Sequence, residues 1–213
     1  MTSQNGFNSV KLLWITPDTE QNIAFCTRVS NPENQDNPKY KGLLKFCIRE
    51  GHWSPFEMAN MCIEINTTRA ISAQIIRHRS FTFQEFSQRY SPVLNMIPIE
   101  PRRQDMKNRQ NSTDDLEKET RDWFEKQMNG IYENTNKVYT EALERGIAKE
   151  SARFLLPLSS HTKIYMNGTI RSWIHYIKLR ESNGTQLEHV QIANQIRKIF
   201  RREMPIIAEA VGF

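Results

Sequence analysis

Along this chain the spacing of apolar residues switches between a period of two and a period of three to four, without a regular strand–helix–strand order. VKLLWI reads as a strand, and Thr16 followed by Pro17 opens a helix that ends near Arg28. A polar loop, SNPENQDNPK, leads to a second helix, YKGLLKFCIRE, which stops at Gly51. After HWSPFE, the alternation in NMCIEI predicts a half-buried strand, and TTRAISAQIIRHR then sets Ile71, Ile75 and Ile76 at helical spacing. A long helix is expected up to Gly146, with Leu116, Trp123, Phe124, Met128, Ile131, Val138 and Leu143 near one face. ARFLLPLSSHTKIYM follows as a short helix broken by Pro157 and then a strand. TIRSWIHYIKLRES predicts a helix closed by Asn183 and Gly184, and QLEHVQIANQIRKIFRREM a further amphipathic one. Helices with a few strands among them and no βαβ repeat specify an α+β fold, with a small mixed or antiparallel sheet and several long helices. The length of 213 residues suits a single domain spanning 1–213.

Several function classes drop out. The eight glycines are scattered, so neither GxGxxG nor a P-loop is present, and any phosphate must be held by helix N-termini and arginines. His52, His78, His161, His175 and His189 form no HExxH or Cys/His ligand spacing, so no metal site is expected. Cys26, Cys47 and Cys62, odd in number and widely spaced, read as buried reduced thiols. MTSQNGFNSV lacks a basic flank and an apolar core, which points to a cytoplasmic protein, or one in a host cytoplasm if virally encoded. Residues 98–115 carry two prolines, four basic residues and no apolar period; so long a loop is expected to be a mobile lid.

The chemistry concentrates in QIIRHRSFTFQEFSQRYS, residues 74–91. On a continuous helix, Gln74, Arg77 and His78 stand at i, i+3 and i+4 and share a face, with Arg79 pointing away. A solvated basic helix end is one reading; a ligand with flat rings, held from two sides, is the other, favoured by the phenylalanines that follow. Ser87 has Glu85 and Arg89 as neighbours and no histidine, so it suits a hydrogen-bonding role better than a nucleophilic one. Arg180 continues the inward stripe Thr169, Trp173, Tyr176, and needs either a carboxylate or a ligand as partner. Arg153, beside the apolar FLLPL, raises the same choice. The net charge of +5 favours anionic partners and keeps open an alternative, a basic single-stranded nucleic-acid-binding module.

RHRSFTFQEFS resembles the RHR-x7-S signature of the flavin-dependent thymidylate synthases. GHWSPFE, QIIRHR, RQDMKNRQ, ARFLLPL and IRSWIHYIKLR are similar to further segments of that family in the same order, so the likeness spans about residues 50–205. The resemblance implies an α+β homotetramer with active sites shared between subunits. It implies reductive methylation of dUMP to dTMP, with FAD as hydride carrier, methylenetetrahydrofolate as carbon donor and NADPH as reductant; neither membrane nor nucleic acid is expected as a partner. Matched by motif position, Ser54, Arg77, His78, Arg79, Glu85, Thr169, Arg171 and His175 would contact FAD. Gln74, Arg77, Glu85, Phe86, Ser87, Gln88, Arg89, Arg153 and Arg180 would surround dUMP, with Arg180 catalytic. Thr169 replaces an asparagine, and Gln88 a glycine, found in some members.

Overall fold

The computed structural model describes residues 8–182 and 184–213. Residues 1–7, on which much of the leader argument rests, and Asn183, expected to close a helix, lie outside the described residues.

The sheet is built around β2 (Asn60–Thr68), in which Met61, Ile63 and Ile65 are fully buried on one face while Glu64 and Asn66 take the other. β6 (His161–Thr169) pairs with it antiparallel along its full length, from Asn60 opposite Thr169 to Thr68 opposite His161. β1 (Ser9–Ile15) flanks β2, and β3 (Phe81–Glu85) flanks β6, so the sheet runs β1-β2-β6-β3 and is antiparallel throughout. β3 is the strand that periodicity did not reveal: it is five residues long and places Glu85 on the same face as Phe81 and Phe83. Its register sets Phe81 opposite Gly168, where an added Cβ would come within 2.4 Å of the Phe81 ring. The missing side chain at Gly168 lets that ring reach Trp173 edge-on, centroids 4.7 Å apart.

Eight helices are described: α1 (Thr19–Thr27), α2 (Lys41–Arg49), α3 (Arg69–Ile75), α4 (Lys118–Glu144), α5 (Lys149–Ala152), α6 (Ile170–Arg180), α7 (Leu187–Glu203) and α8 (Pro205–Val211). Trp173, Tyr176 and Ile177 of α6 and Ile192, Ile196 and Phe200 of α7 are fully buried with the apolar face of the sheet. β2 and β6 each run directly into a helix. Thr68 caps α3 by accepting from the Ile71 N–H at 3.3 Å, and Thr169 caps α6 by accepting from the Ser172 N–H at 3.2 Å. Because the two strands are antiparallel, the helices start at opposite ends of the sheet, and their C-terminal ends meet.

Two expectations are corrected, for α3 and for α4, and two features are added, a hairpin within 98–115 and a last helix. The helix through TTRAISAQIIRHR is shorter at both ends, because β2 takes its threonines and α3 stops at Ile75. The long helix does not bury its expected stripe: Tyr132, Tyr139 and Ala142 are its buried residues, while Trp123, Ile131 and Val138 are exposed. Tyr132 Oη donates to the Ile97 carbonyl at 3.1 Å, and Tyr139 packs with Ala152, so the tyrosine face is the one docked within the chain. Residues 98–115 hold a small hairpin of β4 (Arg103–Gln104) and β5 (Ser112–Thr113), its turn fixed by Asp105 accepting from the Lys107 and Asn108 N–H groups at 2.8 and 3.1 Å. Finally, α8 follows α7 after a single residue, with Pro205 at its first position and Ile207 and Ala208 in the core.

Candidate active site

With α3 ending at Ile75, Arg77 and His78 do not share a helical face: Arg77 and Arg79 are exposed, while the His78 ring turns inward. The His78 N–H bonds to the Ile75 carbonyl and the Phe81 N–H to that of His78, a tight turn that feeds β3 back along β6. This turn brings His78 to the end of α6, where Arg180 Nε donates to His78 Nε2 at 2.8 Å. Arg180 therefore has a neutral imidazole as its partner, where an internal pair would have supplied a carboxylate. Burial, then the Arg180 and His175 charges, lower the His78 pKa to about 4, so its Nε2 is free to accept at neutral pH.

Further groups join this cluster that the sequence had not singled out. His78 meets Tyr176 edge-on with centroids 4.8 Å apart, and Tyr176 Oη pairs with His189 Nε2 at 3.0 Å. His189 Nδ1 lies 3.3 Å from Gln74 Oε1, and Gln74 Nε2 donates to Gln186 Oε1 at 2.7 Å. One signal was available: on α7, His189 shares a stripe with Ile192, Ala193, Ile196 and Phe200, and an imidazole on an apolar stripe needs partners.

Glu85 takes an anchoring position. Its Oε1 accepts from Ser72 Oγ, from Thr162 Oγ1 at 3.0 Å and from Arg69 at 2.7 Å, joining α3, β6 and β3 at one oxygen. Beyond it the chain leaves the sheet. Ser87 and Arg89 line an open pocket of about 490 Å³ with Tyr90, Ala148, Lys149 and Glu150, and Arg89 pairs with Glu150 at 3.0 Å. Gln74, Arg77, Glu85, Phe86, Gln88, Arg153 and Arg180 are not in its lining, so the residues matched to dUMP fall into separate groups within one chain. Gln88 is buried, whereas Phe86 is exposed. Arg153 lies over the ring of Phe154, and the apolar look of FLLPL does not mean burial: Phe154 and Leu158 are 82% and 71% exposed.

A third group surrounds the start of α6. Ser172 Oγ donates to the Ser80 carbonyl at 3.3 Å, tying α6 to the turn after Arg79. Arg171 pairs with Glu57 of the 3-10 turn Ser54–Glu57, which brings Ser54 to the same helix end. Ser54, Arg77, Arg79, Arg171 and His175 all present exposed polar groups, while the Thr169 hydroxyl is engaged by Ser172. Among the described residues there is no cluster of His, Cys, Asp and Glu able to hold a metal ion, and no helix long and apolar enough to cross a membrane. Cys47 and Cys62 are buried as expected, and burial pushes both thiols up; Cys26 is exposed, contrary to the expectation.

Comparison with known proteins bears on the fold and the family. The structure superposes on that of a UMP/dUMP methylase, PolB from Streptomyces cacaoi, bound with 5-Br dUMP, with a TM-score of 0.85 over 96% of this chain and 94% of that one. At 24% identity, that likeness establishes the fold. In sequence, the chain is 55% identical over 189 residues to the flavin-dependent thymidylate synthase of Synechocystis sp., covering 89% of this chain and 87% of the relative. It is also 55% identical over 196 residues to a protein of Paramecium bursaria Chlorella virus 1 named "Probable flavin-dependent thymidylate synthase", covering 91% of each. The model of the thymidylate synthase complementing protein family matches residues 11–206, which takes in β2, the RHR turn, Ser87 and the helix of Arg180. The chain belongs to that family, the flavin-dependent thymidylate synthases.

Proposed function

We propose that this protein converts dUMP to dTMP by reductive methylation, with FAD as hydride carrier, methylenetetrahydrofolate as carbon donor and NADPH as reductant. The observation that carries this reading is the 55% identity, across nine-tenths of the chain, to proteins named for that activity. It displaces the alternative of a nucleic-acid-binding module, for which the positive charge was the main support.

The donor set suits FAD. A diphosphate and a polar heterocycle call for guanidinium and N–H donors, and Arg77, Arg79, Arg171 and His175 supply them from two segments joined at the start of α6. Ser54 adds a hydroxyl, and Glu85 and Thr169 support this edge through β3 and the α6 cap. When bound, FAD supplies the redox chemistry, and the protein supplies binding and orientation.

The residues of this chain then divide the work. Ser87 and Arg89 hold the nucleotide through its phosphate, aided by Arg153, and Gln74 and Arg180 address the pyrimidine. Uracil is a poor electrophile, and Arg180 stabilises negative charge that develops on the ring as it reacts. Neutral His78 fixes the Arg180 fork through Nε, leaving both terminal amino groups for the ring edge. The open Ser87 pocket and the Arg180 cluster are separate in one subunit, which supports a homotetramer whose sites draw on several chains. The exposed Trp123, Ile131, Phe154 and Leu158 give such contacts apolar surface. A mobile lid at 98–115 and a cytoplasmic setting complete the reading. Visible spectroscopy of the purified protein tests its first step: it should carry flavin absorption that changes on adding dUMP. A colourless, folded protein that takes up no FAD would refute it.

A further inference from the structure

His189 stands in the first turn of α7 and is fully buried on a stripe otherwise made of Ile192, Ala193, Ile196 and Phe200. An imidazole there gives up its hydration, and both ring nitrogens are paired, Nε2 with Tyr176 and Nδ1 with Gln74. The direction of these bonds follows from the phenol. Tyr176 is fully buried, its ionisation is suppressed by desolvation, and among the described residues its hydroxyl pairs only with His189. Its proton therefore goes to Nε2, which leaves the ring hydrogen on Nδ1, aimed at Gln74 Oε1. Reversing the chain would turn the Gln74 amide over and strand the phenol proton in the core, which buried polar groups avoid. Gln186 cannot set this direction, because its own amide can turn over together with that of Gln74.

The result is an amide held one way round. Gln74 Nε2 gives one hydrogen to Gln186 Oε1 and keeps a second N–H to donate. Gln74 connects to Arg180 through His189, Tyr176 and His78 and is not in the lining of the Ser87–Arg89 pocket, so this donor lies with the group assigned to the pyrimidine. We propose that His189 is a positioning residue: with its tautomer fixed by Tyr176, it locks the Gln74 carboxamide so that the free N–H addresses a carbonyl oxygen of the uracil ring. This rests on the reading above that Gln74 and Arg180 face the nucleotide.

The test is calorimetric titration of dUMP into the FAD-loaded enzyme. His189→Leu should weaken dUMP binding about tenfold, the scale of one buried hydrogen bond, with FAD content unchanged. His189→Asn, whose amide keeps a donor near the Nδ1 position, should recover most of that loss, which a purely space-filling role would not allow. In a Gln74→Met background, His189→Leu should cause no further weakening. Tyr176→Phe removes only the hydroxyl and should itself weaken dUMP several-fold, so the proposal stays testable if His189→Leu does not fold. Losses that multiply in the double variant, or a Tyr176→Phe enzyme with unchanged affinity, would overturn the positioning role while leaving the site reading intact. A Gln74→Met enzyme that binds dUMP normally would instead remove Gln74 from the site.

Discussion

Arg180→Ala should lower kcat for dTMP formation by about 10²- to 10³-fold, or about 2.7–4 kcal/mol, while the enzyme keeps its fold and its FAD. The magnitude follows from how the guanidinium is held. Its Nε is committed to His78 at 2.8 Å, so what the substitution removes is the pair of terminal amino groups, fixed in direction before substrate arrives. Loss of one such preorganised donor has this scale, and a fork offering two makes it a lower bound. The side effect on His78 is small in consequence. Its pKa is lowered to about 4 chiefly by burial and only secondarily by Arg180, so removing Arg180 raises it without charging the ring at pH 7. Steady-state turnover with saturating dUMP, beside an NMR titration of His78, separates the two effects. Arg180→Lys keeps the charge and loses the fork, and should fall between wild type and alanine. A folded, flavin-loaded Arg180→Ala enzyme with kcat within a few-fold of wild type would refute the role given to this residue.

Acid should destabilise the fold through the same cluster. His78 and His189 have pKa values lowered to about 4 and about 3, against about 6.5 in an unfolded chain, so between these values the unfolded state binds more protons. Stability is therefore intact above about pH 6.5 and falls as pH drops toward 4, by on the order of 3 kcal/mol for His78 alone; equal urea midpoints at pH 7 and pH 4.5 would contradict this. Arg102 donates to both oxygens of Glu188 at 2.7 and 2.9 Å, with side chains only 11% and 12% exposed, and ties the root of the 98–115 segment to α7. Arg102→Met strands the carboxylate and should cost about 3 kcal/mol, roughly 6–12 °C in thermal midpoint, with Arg102→Met/Glu188→Leu recovering most of it; a midpoint unchanged in the single variant would show that the pair anchors nothing. Replacing Cys26, Cys47 and Cys62 together by serine or alanine should leave turnover intact in folded enzyme, since burial disfavours the thiolate at Cys47 and Cys62; abolished turnover in a folded variant would point to a thiol nucleophile.

The elements with long, regular periodicity were legible in the sequence: β1, β2, β6, α4, α6 and α7 lie close to where their apolar spacing puts them. What escaped was set by distant partners. β3 is defined by pairing with β6 and by Phe81 seated over Gly168, and neither fact is local. The exposed stripe of α4 carries more large apolar side chains than the docked tyrosine face, and hydrophobicity alone ranks them in the wrong order for a single subunit. At the site, the RHR motif, Ser87 and Arg180 could be read from the chain, but the inward turn of His78 comes from the early end of α3. Arg180's pairing with an imidazole, and the chain from Tyr176 through His189 to Gln74, depend on α6 and α7 lying side by side.

A product assay on the purified, FAD-loaded enzyme decides whether these residues serve thymidylate synthesis. Supplied with dUMP, methylenetetrahydrofolate and NADPH, it should accumulate dTMP, and omission of the folate should abolish the product. Folded, flavin-loaded protein that forms no dTMP under these conditions would contradict the assignment.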